Sequence, residues 1–246
     1  MRTRMKGTVK YVCRHFGLDV RRVQPWRELE WIRGCDIQTV LDVGANTGQF
    51  ASQIHALLPE ARIYSFEPLA DCYEQLVKRM AGVPGFRAFN LALGDSSGAG
   101  SMHRNEFSPS SSLLPMGDLH RQAFPFTERT RVQEIEIRRL DELEGDLEIV
   151  GNVLIKIDVQ GAEDKVIRGG RRLMSRASVL IIETAFYSLY QGQPLFNDIY
   201  DMIRQDGFTF MGCEGAIRDP RDGVVLQCDS VFLRSTDIAR RPRSTA

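Results

Sequence analysis

Short apolar runs alternate with stretches of helical spacing along most of this chain, and that alternation restricts the possible folds more than any other feature. Thr39-Val40-Leu41-Asp42-Val43 is nearly continuous in apolar character and stops at Gly44-Ala45-Asn46-Thr47-Gly48. Phe50, Ile54, Leu57 and Leu58 then share one helical face, which Pro59 ends. The cycle repeats with a strand at Arg62–Phe66, a helix through Cys72, Leu76, Val77 and Met80, and a strand at Phe86–Leu91 that ends near Gly94-Asp95. It resumes at Val153–Ile157, the strongest strand, followed by Ala162, Val166, Ile167 and Leu173 at helical spacing. Val179–Ile182 is a further strand, and Phe196, Ile199, Met202 and Ile203 mark a helix. Phe208–Met211 and Cys228–Arg234 close the series, with Asp222-Gly223 as a turn between them. Strands this apolar, separated by amphipathic helices, need a parallel sheet covered on both faces. The expected fold is α/β, a doubly wound and mostly parallel Rossmann-like sheet.

Three stretches stand outside the alternation. Residues 1–36 read as an N-terminal helical extension, with Val9, Val12, Cys13 and Phe16 on one narrow face. A helix capping the sheet fits that face better than a membrane-surface helix. Residues 105–130 hold Ser108, Ser110, Ser111, Ser112 and three prolines and read as a long irregular loop. Its serine hydroxyls suit orienting an acceptor, and Phe107, Leu113, Leu114, Phe124 and Phe126 suit covering one, so a mobile lid is expected. Residues 237–246 read as a flexible basic tail.

Lys and Arg number 32 against 32 Asp and Glu, so the formal charge is zero and no basic excess points to nucleic acid. No apolar run approaches the roughly 18 residues of a membrane span, and the basic N-terminus lacks the apolar segment of a secretory signal. Five cysteines, odd in number and without a CxxC pair, argue against a disulfide framework or a zinc knuckle. A cytoplasmic, reduced protein is expected.

A glycine cluster between a first strand and a first helix lets the backbone approach a ligand closely. Asp42 lies two residues before Gly44, where a carboxylate is costly unless something cationic or hydrogen-bonding meets it. Glu67 ends the second strand, 19 residues after Gly48, where an acid can accept from both ribose hydroxyls. The pyrophosphate of a dinucleotide would be repelled by Asp42. S-adenosyl-L-methionine brings an ammonium and a sulfonium that Asp42 favours. Asn46 interrupts the full GxGxxG, and no Tyr-x-x-x-Lys pair exists in the chain. The methyl donor is therefore favoured over NAD.

Here the sequence resembles class I methyltransferases, and more narrowly the FkbM family. The resemblance rests on Val40–Gly48, Phe66-Glu67-Pro68, Ala92-Leu93-Gly94-Asp95 and Lys156-Ile157-Asp158-Val159-Gln160-Gly161-Ala162-Glu163, continuing through Gly169-Gly170 and Ile182-Glu183. At Gln160 the family usually has an acid, so no role is carried over to that side chain. The resemblance implies a methyltransferase domain over residues 37–236, a seven-stranded sheet whose last strand is antiparallel, and O-methylation of a small molecule, sugar or glycolipid. It also implies that Asp42, Gly44, Ala45, Asn46 and Gly48 hold the methionine part of the cofactor and Glu67 the ribose, with Pro68 among the contacts. Gly94 and Asp95 would lie beside the adenine, although Asp95 reads equally well as a turn residue.

An alcohol must lose its proton as it is methylated, so a positioned base helps. Asp158 is the candidate, at the carboxyl end of the most apolar strand, where it could also cap the following helix. Lys156 projects to the same face, to neutralise Asp158 or Glu183, which ends the next strand. Glu163 is expected to pair locally or face solvent; His15, His55 and His120 read as surface residues, and His103 as an outside candidate for the base. Without an adjacent Asp-Asp or Asp-Asn pair, no metal is expected. The alternatives are a NAD-dependent oxidoreductase and a cofactor-binding protein without catalysis. The expected partner is a hydroxyl acceptor, small molecule or glycan, and a homodimer is open to the chain.

Overall fold

In the computed structural model, which describes residues 29–238, the apolar runs become strands in chain order. The first half holds β1 (Ile37–Val43), α1 (Gln49–Leu57), β2 (Arg62–Phe66), α2 (Ala70–Arg79) and β3 (Phe86–Phe89). Between the halves lie β4 (Ala92–Leu93), β5 (Gly98–Asn105), α3 (Asp118–Ala123) and β6 (Thr130–Arg138). The second half holds β7 (Asn152–Ile157), α4 (Glu163–Gly169), α5 (Arg171–Met174), β8 (Ala177–Ala185), α6 (Phe196–Gln205), β9 (Phe208–Arg218), β10 (Val225–Arg234) and α7 (Ser235–Ile238). Residues 1–28 of the expected extension and 239–246 of the expected tail lie outside the described residues. Within them, a 3-10 turn spans Glu30–Cys35 and no helix is long and apolar enough to cross a membrane.

Seven strands form one sheet in the order β3-β2-β1-β7-β8-β10-β9, parallel except for β10, which runs antiparallel to both its neighbours. The fold is thus the doubly wound, mostly parallel α/β sheet expected. The chain winds from β1 outward through β2 to β3, then returns to β7 on the other side of β1. Such a reversal leaves a crevice outside the carboxyl ends of the two central strands. Five consecutive residues of β1 are buried, because helices cover both faces. Leu41, Ile155, Ile157 and Leu180 pack with Val166, Ile199 and Phe232 in the larger core, each such side chain contributing about 1.5–3 kcal/mol by leaving water.

Three differences from the sequence reading have physical causes. The third strand stops at Phe89, not Leu91, and β9 and β10 extend well past their apolar cores into an exposed hairpin around Gly223. A second sheet, β4-β6-β5, was missed. Its β6 is mostly exposed, and only the alternation Glu134-Ile135-Glu136-Ile137 betrays it. Its β5 pairs with β6 from Gly98↔Ile137 to Asn105↔Thr130, so the two ends of the 106–129 excursion are clamped together.

Candidate active site

A cavity of about 420 Å³ opens at the carboxyl ends of β1, β2, β7 and β8, within the usual size of a small-molecule site. Asp42, Glu67, Lys156, Asp158 and Glu183 all line it. Asp42 is the register partner of Lys156, and Glu183 that of Asp229. With side chains alternating along each strand, Lys156 and Asp158 reach the same face as Asp42. The Asp158 amide donates to Val43 O (2.9 Å), which holds the ends of β1 and β7 flush. Gly44 is required there: a Cβ would stand 1.9 Å from the Asp158 carbonyl oxygen, and its φ is +83°.

The glycine-loop side is built around two buried acids. Asp42 is 2% exposed and Oδ2 accepts from Ser65 Oγ (3.1 Å). Burial pushes its pKa up to about 7, against the opposing pull of Ser65 and Lys156. Glu67 accepts from the amides of Asn46 and Leu69, both at 2.8 Å, so the same carboxylate shapes the loop. Its burial also raises it to about 7. Ala45, Asn46 and Pro68 line the cavity; Gly48 does not, and instead begins α1 with φ +84° against Leu76. Gly94 and Asp95 are likewise absent from the lining, where Ala92 and Leu93 stand. Asp95 accepts from Nε and Nη2 of Arg168 (3.2 and 3.1 Å), and Gly94 O meets Gly169 so closely that a Cβ there would lie 1.9 Å away.

At β7 and β8 the charges concentrate. Lys156, 6% exposed, donates to Asp229 Oδ1 (2.9 Å) and Asp158 Oδ2 (3.2 Å). Burial opposes its ammonium, but Asp158, Asp229 and Glu183 together outweigh burial and hold it above the usual lysine range. Burial also opposes the Asp158 carboxylate, yet Lys156 and Gln160 outweigh it, so Asp158 stays below its ordinary value and ionised. Glu183 goes the other way: burial and then the Asp158 charge raise it well above the usual carboxylate range. Gln160, in the left-handed region at φ +57°, donates from Nε2 to Asp158 Oδ1 (2.9 Å) and Glu183 Oε2 (2.5 Å). Its Oε1 accepts from Tyr190 OH (2.9 Å), and Gln227 donates to Glu183 Oε1 (2.6 Å).

Asp229, Gln227 and Tyr190 were not singled out from the sequence. Asp229 carries the same cue as Asp42, an acid inside an otherwise apolar strand. Glu163 does not face solvent: it is 2% exposed and Oε1 accepts from the amides of Val159 (3.2 Å) and Gly161 (3.0 Å). Asp158 does not cap α4, whose N-cap is Ala162.

The 106–129 excursion is built rather than irregular, with 3-10 turns at Ser108–Ser110 and Pro125–Thr127 flanking α3. Buried Asn105 pins it: its amide donates to Ser111 Oγ (2.9 Å), Oδ1 accepts from the Phe107 amide (2.8 Å), and Nδ2 donates to Thr127 O. Ser112 Oγ donates to Gln160 O (2.5 Å) and accepts from the Leu114 amide (2.9 Å). The hydroxyls of Ser111 and Ser112, expected to orient an acceptor, therefore serve the fold of the cap. Ser108 meets the Asn46 side chain (3.2 Å), which brings the cap over the glycine loop. His120 is buried at 4% exposure and lines the cavity, contrary to its reading as a surface residue; His55 is half-buried.

The sheet is doubly wound, with an acid-flanked glycine loop at its switch point. Residues 42–210 match the Methyltransferase FkbM domain, and the chain belongs to that family. It is 28% identical over 171 residues to the 2-O-methyltransferase NoeI of Sinorhizobium fredii, covering 67% of this chain and 70% of NoeI. It is 28% identical over 155 residues to methyltransferase sdnD of Sordaria araneosa, covering 53% of this chain and 59% of sdnD, less than two thirds of that relative's length. Among solved structures it is similar to magnesium protoporphyrin IX methyltransferase of Synechocystis with bound SAM, at 14% identity and a TM-score of 0.44, covering 86% of this chain and 79% of that one.

Proposed function

We propose that this chain is an S-adenosylmethionine-dependent O-methyltransferase acting on a hydroxyl of a small molecule, sugar or glycolipid. The observation that carries the reading is one cavity with two buried acids, Asp42 and Glu67, beside the glycine loop and an ionised acid, Asp158, at the end of the neighbouring strand. The donor set fits the cofactor: Asp42 favours a cation, Glu67 suits a pair of hydroxyls, and Gly44 leaves the backbone open to close approach. S-adenosylmethionine, when bound, would supply an electrophilic methyl group, its carbon–sulfur bond breaking to leave neutral S-adenosylhomocysteine.

The chain's own residues do the rest. Asp42 and Glu67 hold the cofactor, while the cap and Phe50 exclude water. Asp158 accepts the acceptor's hydroxyl hydrogen bond and, as the oxygen forms its bond to carbon and becomes strongly acidic, takes the proton on its carboxylate. A low pKa serves that late transfer, since the oxygen's acidity rises with bond formation. Lys156 keeps Asp158 ionised, and Gln160 fixes its orientation. NoeI, a 2-O-methyltransferase by name, supports oxygen as the target. The reading includes a cytoplasmic setting, in which Cys72, Cys213 and Cys228 stay reduced thiols.

Calorimetry with S-adenosylmethionine, S-adenosylhomocysteine and NAD tests the proposal. The first two should bind and NAD should not. Affinity for S-adenosylmethionine should rise with pH through about 7, as Asp42 and Glu67 ionise. Binding of NAD alone would replace this reading with an oxidoreductase.

A further inference from the structure

We infer that the acceptor is an uncharged, hydroxyl-bearing molecule with an apolar body, and that His120 recognises its polar edge; the inference rests on the methyltransferase reading above. The charge of the cavity wall sets the first half. Asp42, Glu67, Asp158 and Glu183 line it against a single lysine, Lys156, whose ammonium already serves Asp158 and Asp229. The two arginines of the cap are paired with acids: Arg121 with Asp118 (2.9 Å) and Arg129 with Glu106 (3.8 Å). A phosphate or carboxylate on the acceptor would lose its water and meet these acids, with no uncommitted cation among the described lining residues.

The apolar body follows from the rim. Phe107 and Phe126 line the cavity and meet edge to face at 5.5 Å, yet remain 48% and 65% exposed. Aromatic faces left wet at a cavity mouth gain by covering an apolar or flat group.

His120 supplies the recognition. Its ring stands edge-on to Phe124 (5.5 Å) and Tyr190 (5.1 Å), and Tyr190 in turn bonds to Gln160 beside Asp158. Burial, and then Arg121, lower its pKa to about 4, so the imidazole is neutral near pH 7 and offers one donor and one acceptor. Its Nδ1 is buried with no hydrogen-bond partner among the described residues. A buried unpaired polar atom is unfavourable. The ring lines the cavity and is linked through Tyr190 and Gln160 to Asp158, so a polar group of the acceptor bonded to the imidazole would lie in the same cavity as Asp158.

The test uses phenyl β-D-glucoside, phenyl β-D-glucuronide and glucose as probes, with wild type and His120→Phe, each saturated with S-adenosylhomocysteine. The glucuronide differs from the glucoside by one carboxylate, glucose by the missing apolar group, and phenylalanine keeps the ring packing without the nitrogens. Affinities are read by saturation-transfer NMR at millimolar probe. The glucoside should bind wild type, and both other probes should bind about tenfold more weakly or worse; His120→Phe should weaken the glucoside about five- to tenfold. A glucuronide as tight as the glucoside overturns the inference, as does a glucoside that makes no contact with the S-adenosylhomocysteine complex. Equal glucoside affinity in a His120→Phe protein that still binds S-adenosylhomocysteine removes the histidine's role. Should His120→Phe not fold, the wild-type comparison of the three probes decides. Absence of S-adenosylhomocysteine binding to wild type fails the methyltransferase reading itself, and the inference with it.

Discussion

Lys156 is the residue on which the site's charge depends, because one buried ammonium balances carboxylates from β7 and β10. Lys156→Met should cost about 3–5 kcal/mol, the usual penalty for leaving buried charges uncompensated. The loss should be smaller near pH 5 than near pH 8, since Asp158, buried without its ammonium, can then take up a proton; urea unfolding at the two pH values measures it, and equal losses would contradict the charge argument. Asp158→Asn should lower turnover about 10²–10⁴-fold, with little change in S-adenosylhomocysteine affinity. Near-normal turnover by a folded variant would remove Asp158 as the base. Asp42, Glu67, Lys156 and Asp158 were visible in the sequence because charges at the ends of apolar strands are anomalous. Gln227, Tyr190 and His120 were not: they arrive from the antiparallel return, from the loop after β8 and from the cap, at no fixed spacing from any motif.

Among the elements, the cap depends most on a single side chain. Three hydrogen bonds at Asn105, two of them through its side chain (to Phe107 and Thr127) and one from its backbone amide to Ser111, tie down the start of the 106–129 excursion. Asn105→Ala should loosen the cap by about 1–3 kcal/mol, the cost of leaving buried groups unpaired, with a smaller effect on the unfolding of the main sheet. Trypsin should then cut faster at Arg121 and Arg129, and added S-adenosylhomocysteine should slow the cutting, since the cap reaches Asn46 through Ser108. Unchanged cutting rates would mean that the clamp Asn105↔Thr130 suffices alone. The parallel strands were legible because burial on both faces makes them continuously apolar. The small sheet was not, because β5 and β6 bury only scattered positions and their glycines, arginines and acids resemble a loop. The serines of the cap misled for a related reason. Hydroxyls that fold a segment and hydroxyls that meet a ligand look the same in sequence.

For the molecule as a whole, a net charge of zero conceals an acidic cavity, and that separation sets how stability depends on pH. Asp42, Glu67 and Glu163 are each raised to about 7 by burial. Unfolded, such groups titrate near 4. The ligand-free folded chain therefore holds more protons than the unfolded chain between about pH 4 and 7. Stability from these three groups is full below that window and is lost as pH rises through it. The acids held low, Asp158, Asp71 and Asp219, act in the opposite sense only at more acid pH, while His120, lowered to about 4, opposes the three within the window as a single group. The protein should thus be less stable near pH 7.5 than near pH 5 in the absence of ligand. Glu163 separates this cause from the cofactor site, because its Oε1 serves only the amides of Val159 and Gly161. Glu163→Gln keeps an oxygen for both amides and removes the titration, so the stability slope across the window should fall by about 1.4 kcal/mol per pH unit. Glu163→Ala should instead destabilise at every pH by about 1–3 kcal/mol for each amide left unpaired. Denaturant unfolding of the three proteins at half-unit pH steps distinguishes the outcomes. A Glu163→Gln slope identical to wild type would show that Glu163 titrates normally and that its burial is relieved in solution.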